Sequence, residues 1–194
     1  MIVDVRTGVR PERTYNLVEG FLVHNRLIVP DVGYIDFGDG KNYREWFAGG
    51  GYKVFASKNL TVIEEVYIAF ASGPESGGAV YFWPWTGINF TLSPKLGGEA
   101  VIFPYIPLNK AGTGQWVVER IKLEYTLSPL FKFGGGYGAY QFGDDRWQHR
   151  PFITATITPF GGKFGSFEAW LQKFADGAQI QGRYEIAITS KKKE

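Results

Sequence analysis

Hydrophobic and polar residues alternate along the stretch "ERIKLEYTL", residues 119–127. The apolar set is Ile121, Leu123, Tyr125 and Leu127, and the polar set is Arg120, Lys122, Glu124 and Thr126. A period of two is typical of a β-strand with one apolar and one polar face. In a water-soluble barrel the apolar face lines the interior, whereas in a membrane barrel it faces lipid. The alternation predicts the strand and leaves both orientations open.

Similar segments recur along the chain, separated by turn residues. They predict ten strands, at 26–37, 43–56, 60–72, 78–92, 97–107, 115–127, 130–142, 151–160, 165–175 and 178–189. Phe167, Leu171 and Phe174 also have helical spacing, but their segment alternates and has strands on both sides, so it is predicted as a strand. An even number of long strands without helices predicts an all-β, antiparallel, up-and-down β-barrel.

The expected organisation is one barrel domain with short flanking segments. Residues 1–25 form an N-terminal extension or a first strand leading into the barrel, residues 26–190 form the barrel, and 191–194 form a charged tail. No apolar run reaches the ~18 residues of a membrane-spanning helix.

Strand length and turn pattern favour a transmembrane barrel. Soluble strands average about 5–6 residues, whereas a membrane-spanning strand needs ~9–11. The short connections "SKN", "SP" and "GGK" alternate with the longer, polar "GDGKN", "PESGG", "NKAGTG" and "GDDRWQHR", although "SPKLGG" and "ADG" break the pattern. Outer-membrane barrels have short turns at one end and longer loops at the other. Aromatic residues near segment ends are expected to form interfacial girdles: Trp83, Trp85, Tyr105, Trp116 and Tyr137.

The rhythm of "WVVERIKLEYTLSPLFKFGGGYGAYQF" and "AQIQGRYEIAIT" resembles that of small outer-membrane β-barrels of Gram-negative-type bacteria, over roughly residues 26–189. The resemblance is to a class and implies a bacterial outer-membrane location and contact with membrane lipid. We expect a monomer without enzymatic activity. The alternative is a soluble, periplasmic or secreted, lipocalin-like barrel. Its apolar ligand cavity would be lined by Ile180, Tyr184, Ile186 and Ile188.

If the apolar face meets lipid, the polar face lines the lumen. The expected lumenal network is Glu45, Lys53, Glu65, Arg120, Lys122, Glu124, Glu168, Gln179, Gln181, Arg183 and Glu185. Mixed charges favour pairing and closure, whereas an ion-selective constriction is lined by one sign. A barrel of about ten strands is also narrow. The sequence therefore predicts a lumen filled by mixed-sign ion pairs, with a structural role or a narrow path for a small solute.

Composition excludes several kinds of chemistry. The 21 basic and 19 acidic residues give a net charge of +2, so no broad positive surface for nucleic acid is expected. The chain has no cysteine, which excludes disulfides, thiolate metal sites and cysteine nucleophiles. The glycine-rich segments 47–52 and 134–138 open no helix, so they predict room for bulky neighbours and no phosphate site.

The stretch 143–150 is predicted as the most exposed loop and as a possible partner surface. Its side chains of interest are Asp144, Asp145, Arg146, Trp147 and His149. A hydrolase built on His149 is the weakest alternative, since no serine is adjacent. The two aspartates lack the spacing of a dedicated calcium loop. We therefore expect no metal, no cofactor and no catalytic residue.

Overall fold

Twelve antiparallel strands make up the computed structural model, which describes residues 1–10, 13–38, 43–74, 76–174 and 177–188. The strands are β1 (Ile2–Arg10), β2 (Arg13–His24), β3 (Leu27–Gly38), β4 (Tyr43–Ala56), β5 (Leu60–Ser72), β6 (Val80–Ser93), β7 (Leu96–Pro107), β8 (Gln115–Thr126), β9 (Phe131–Phe142), β10 (Gln148–Ile157), β11 (Ser166–Phe174) and β12 (Gly177–Ala187). A 3₁₀ turn, Pro159–Gly162, lies between β10 and β11. No helix among the described residues is long and apolar enough to cross a membrane.

Each strand pairs with its neighbours in sequence, and β1 closes the barrel against β12. Ile2 lies opposite Ala187, and Val9 lies opposite Ile180. Closure leaves no free strand edge. The prediction of an all-β, antiparallel, up-and-down barrel is confirmed.

The predicted number of strands was wrong, because the barrel has twelve strands and not ten. Both additional strands, β1 and β2, lie within residues 1–25. Val3 and Val5 alternate there with Asp4 and Arg6, so the period of two was present. What the local pattern could not show is that β1 pairs with β12, at the other end of the chain. The predicted charged tail, 191–194, lies outside the described residues.

A β-bulge in β8 changes which residues face the lumen. Arg120 pairs with Val101 on β7, whereas the next pair joins Val118 to Ile102, so Glu119 is left over. A bulge of this kind places two consecutive residues on the same side of a strand. Glu119 and Arg120 both line the lumen as a result. Strict alternation had placed Glu119 on the outer face.

The outer surface is apolar along the strands. Ile121 and Leu123 are 45% and 44% exposed there, and Ile180 is 66% exposed. The soluble alternative needed Ile180 and Ile188 inside the barrel, and it is wrong because these side chains point outward while charged residues point inward.

Exposed aromatic side chains gather near both ends of the barrel wall. Trp46, Phe70 and Trp116 lie near one end, and Phe55, Phe133, Phe160, Phe164 and Phe167 lie near the other. Trp116 and Tyr137 face outward as predicted. The prediction was wrong for Trp83, Trp85 and Tyr105, which line the lumen. In "YFWPW" the side chains of Phe82 and Pro84 occupy the outward positions, so Trp83 and Trp85 point into the lumen.

The two ends of the barrel differ in their connections. We call the end that carries Met1 and Ile188 the turn end, and the opposite end the loop end. At the turn end, β6 and β7 are joined by Pro94 and Lys95 alone, so "SPKLGG" contains a short turn. Residues 108–114 and 143–147 form longer connections at the loop end. This arrangement follows the pattern of short turns opposite long loops, except at residues 158–165. That connection, which contains the predicted short turn "GGK" and the 3₁₀ turn, is long and lies at the turn end.

Candidate functional site

The lumen contains two compartments that meet at mid-height. The turn-side compartment has a volume of about 640 Å³, and the loop-side compartment about 650 Å³. Arg6, Glu19 and Trp85 line both, so they mark the boundary. Lys58 and Asn59 line the turn-side compartment, and Thr113 and Asp145 line the loop-side one. Each compartment therefore extends from mid-barrel to its own end.

The eleven side chains predicted for the lumenal network all line these compartments. In the turn-side compartment are Lys53, Glu65, Arg120, Lys122, Glu124, Glu168, Arg183 and Glu185, and in the loop-side one are Glu45, Gln179 and Gln181. The charged side chains that were missed there include Asp4, Arg6, Glu19, Asp31, Glu99 and Glu119. Three of them lie in residues 1–25, which were expected to be an N-terminal extension or a first strand. Glu119 faces the lumen only because of the bulge in β8. The adjacent charges in "ER" were the available signal for that bulge.

Ten charged side chains form a connected set across the middle of the lumen, which we call the ion-pair belt. Its basic members are Arg6, Arg120, Lys122 and Arg183, and its acidic members are Asp4, Glu99, Glu119, Glu124, Glu168 and Glu185. They come from β1, β7, β8, β11 and β12. The belt therefore joins separate parts of the wall, with more acidic than basic groups.

Lys122 occupies the centre of the belt. Its Nζ lies 2.5 Å from Glu168 Oε1, 3.1 Å from Glu99 Oε1 and 3.3 Å from Glu124 Oε2. Its side chain is only 6% exposed. Buried charges of this kind are tolerated when they are paired and hydrogen-bonded. One ammonium group thus pairs with carboxylates from β7, β8 and β11.

Arg6 crosses the lumen in another direction. Its guanidinium donates to Asp4 Oδ2 at 2.9 Å on its own strand and also contacts the carboxylate of Glu119 on β8. Four strands separate β1 from β8 along the shorter way around the wall. Arg183 adds a bond to the same Asp4 oxygen at 2.8 Å. Side chains from nearly opposite walls thus meet at mid-height, where the ion-pair belt crosses the lumen.

A second group of carboxyls lies on the wall formed by β2, β3 and β5. We call Glu19, Asp31 and Glu65 the acidic wall. Tyr67 Oη donates to Asp31 Oδ2 at 2.9 Å. Gly49 on β4 sits between Asp31 and Tyr67 in the strand register, and its missing side chain lets them meet above β4. None of the described ion pairs includes a carboxyl of the acidic wall.

Aromatic rings cover much of the loop-side compartment. The lining rings are Tyr15, Phe37, Tyr43, Phe47, Tyr67, Tyr81, Trp83, Trp85, Phe103, Tyr105, Tyr140, Phe142, Trp170 and Phe174. Trp83 lies 4.6 Å from Tyr105 and 5.2 Å from Phe47 between ring centroids. Tyr105 Oη donates to the buried Glu45 at 3.2 Å. These rings pack against one another around the loop-side compartment, which we call the aromatic vestibule.

The glycine-rich strand β9 makes room for a bulky pair on the next strands. Phe152 and Trp170 stack with ring centroids 4.5 Å apart. A Cβ on Gly136 would lie 2.6 Å from Phe152 Cζ, which is too close for any side chain. Residues 134–138 were expected to make room for a large neighbour. That neighbour is Phe152, on the adjacent strand β10.

The predicted exposed loop is exposed in the structure. Asp144, Asp145, Arg146 and Trp147 lie in the connection after β9, and His149 lies in β10, where its Nδ1 contacts the Tyr137 hydroxyl. The described residues contain no group of three or more His, Asp or Glu side chains placed to hold a metal ion. Nothing in this region identifies a partner.

Comparison with known proteins identifies the class of fold. No protein-family model matches the chain, and no curated protein matches its sequence. The KdgM porin superimposes with a TM-score of 0.71 at 8% identity, covering 97% of this chain and 100% of that one. KdgM in complex with disordered oligogalacturonate gives 0.69 at 7% identity, with the same coverage. An outer-membrane channel from Pseudomonas putida F1 gives 0.61 at 10%, covering 96% and 94%.

These identities are low, so the likeness shows the fold alone. It confirms the predicted resemblance, at the level of class, to bacterial outer-membrane barrels. It also supports the predicted outer-membrane location, because the similar structures are porins and outer-membrane channels.

Proposed function

We propose that this protein is a non-enzymatic outer-membrane channel with a narrow lumen, restricted at mid-height by the ion-pair belt. The observation that carries the proposal is the polar lumen, open as one compartment toward each end, inside an apolar outer wall. A closed barrel satisfies its backbone hydrogen bonds in lipid. A single chain closes this barrel, so the monomer is the proposed unit.

The orientation follows from the two ends. The turn end is assigned to the periplasm, and the connections 108–114 and 143–147 to the cell exterior. The aromatic bands near the two ends of the wall would then lie at the two lipid–water interfaces. A solute entering from outside would meet the aromatic vestibule first and the ion-pair belt second.

The solute is proposed to be small and polar. KdgM, which has the same fold, is a porin that has been described with oligogalacturonate. Fold likeness does not carry a ligand from one protein to another. Here the belt joins side chains from nearly opposite walls, as in the contact of Arg6 with Glu119, which supports a small solute. Gln172, Gln179 and Gln181 offer amide groups on the vestibule wall.

Conductance measurements in planar lipid bilayers test the proposal. The wild type is expected to show small, discrete channels, and Arg6→Ala larger ones, because that variant removes the guanidinium that reaches Glu119 across the lumen. Arg44→Ala is the matched control, since Arg44 faces outward and pairs with Asp36 at 3.5 Å. A complete lack of current in the wild type and in Arg6→Ala would favour a purely structural role and overturn the channel proposal.

A further inference from the structure

We propose that the acidic wall binds a small organic cation with primary amino groups and so makes the lumen selective for such solutes. This inference deepens the channel function proposed above and rests on it for its biological meaning. The site consists of Glu19, Asp31 and Glu65, which all line the turn-side compartment. Trp85 lies at its edge.

The carboxyl groups of the acidic wall are buried and incompletely hydrogen-bonded. Asp31 is 1% exposed and Glu65 is 7% exposed, and one carboxyl oxygen of each has no hydrogen-bond partner among the described residues. A buried carboxylate without a compensating positive charge is costly. The nearest belt cation, Arg6, is already bound to Asp4 and Glu119. The acidic wall therefore needs a proton or another positive charge, which the described ion pairs do not supply.

The belt cannot supply that charge by rearrangement. Its four basic groups already face six carboxylates, so acidic groups are in excess before the acidic wall is considered. Moving Arg6 toward Glu19 would leave Glu119 with Arg120 alone. An incoming cation satisfies the wall without breaking the belt.

The side chains around the acidic wall indicate the type of cation. Trp85 lies directly opposite Glu65 in the strand register, and its ring lies over Gly87, where a Cβ would come within 2.3 Å of Trp85 Cη2. An indole face beside carboxylates is a favourable surface for an ammonium group. The described residues do not include three or more ligands placed around a metal ion. A cation that brings its own N–H donors suits two unpartnered oxygens better than a bare metal ion does.

Isothermal titration calorimetry on the folded protein in detergent tests the site without requiring conduction. The probe is putrescine, and 1,4-butanediol is the neutral molecule of matched length. Putrescine is expected to bind the wild type, and binding is expected to weaken about tenfold or more in Asp31→Asn/Glu65→Gln, which corresponds to ~1.4 kcal/mol. Butanediol should give no saturable heat. Asp36→Asn, which removes a carboxylate from the outer face, should bind putrescine as the wild type does.

Folding and conduction are checked separately. Glu65→Gln alone provides a milder variant, and its heat-dependent gel shift reports whether the barrel forms. The inference would be overturned if folded Glu65→Gln and folded Asp31→Asn/Glu65→Gln bound putrescine as tightly as the wild type does. It would also be overturned if the wild type did not bind putrescine. In bilayers, putrescine added from the turn end should reduce wild-type current more than double-variant current. Binding without any channel current would instead contradict the proposed function and leave the cation site standing.

Discussion

Lys122→Met tests whether the ion-pair belt is a buried structural element of the lumen. Loss of the Lys122 ammonium group affects the three neighbouring carboxylates unequally. Glu99 retains Arg120 at 2.6 Å, and Glu124 retains the hydroxyls of Thr154 and Thr156 at 3.0 and 2.7 Å. Among the described ion pairs, Glu168 retains Arg183 alone, at 3.8 Å. The penalty therefore falls mainly on Glu168.

Breaking a buried ion pair by removing one partner typically costs ~3–5 kcal/mol, and we expect a loss in this range for Lys122→Met. The assay is urea unfolding in lipid vesicles, followed by tryptophan fluorescence. Lys163→Met is the matched control, since Lys163 is exposed in the connection between β10 and β11, and a change below about 0.5 kcal/mol is expected. Lys122→Met/Glu168→Gln should recover part of the loss, because the stranded carboxylate is gone.

An unchanged unfolding midpoint for Lys122→Met would refute this reasoning. It would mean that water solvates the carboxylates at this level and that the lumen is open where the structure fills it with side chains. A loss in Lys122→Met that Glu168→Gln does not reduce would contradict the assignment of the penalty to Glu168. The first of these results would require a wider path than the one proposed.

Other predictions concern the wall of the barrel. Ile121→Arg places a charge on the lipid-facing surface at mid-strand and should cost ~2–4 kcal/mol, whereas Leu127→Arg, beyond the end of β8, should cost about 0–1 kcal/mol in the same unfolding assay. Equal costs at the two depths would be inconsistent with a membrane around β8. Gly134→Ala should destabilise by ~1–3 kcal/mol, because its Cβ would lie 2.0 Å from a backbone oxygen of β8. Gly20→Ala, whose Cβ would have 3.9 Å to its nearest neighbour, should be tolerated. The folded protein should need detergent, and unheated samples should migrate differently from boiled ones on SDS gels; a monodisperse sample in plain buffer would contradict the membrane assignment.

Several features of the barrel could be predicted because they depend on neighbours in sequence. Alternation along β8 assigns Lys122 and Leu123 to opposite faces, and turn residues separate most of the strands. β11 was also predicted as a strand despite a competing helical spacing. The period of the side chains is a local property, so the chain itself carries it.

Features that depend on distant segments could not be predicted in the same way. The pairing of β1 with β12 joins the two ends of the chain, and it raised the number of strands from ten to twelve. The bulge at Glu119 reversed the phase of alternation within one strand. The inward position of Trp83 reversed an expectation drawn from its place near a segment end.

The sequence by itself determined the β-strands, their two faces and the mixed charges of one face, because these follow from the order of residues along each strand. The tertiary structure decided which face is inside, how many strands close the barrel and which charges meet. Arg6 and Glu119 are far apart in the chain and on nearly opposite walls, and only closure brings them into contact. The acidic wall likewise exists only because β4 presents glycine between β3 and β5. Contacts across a lumen depend on the strand register and on the barrel's circumference, and no local pattern records either.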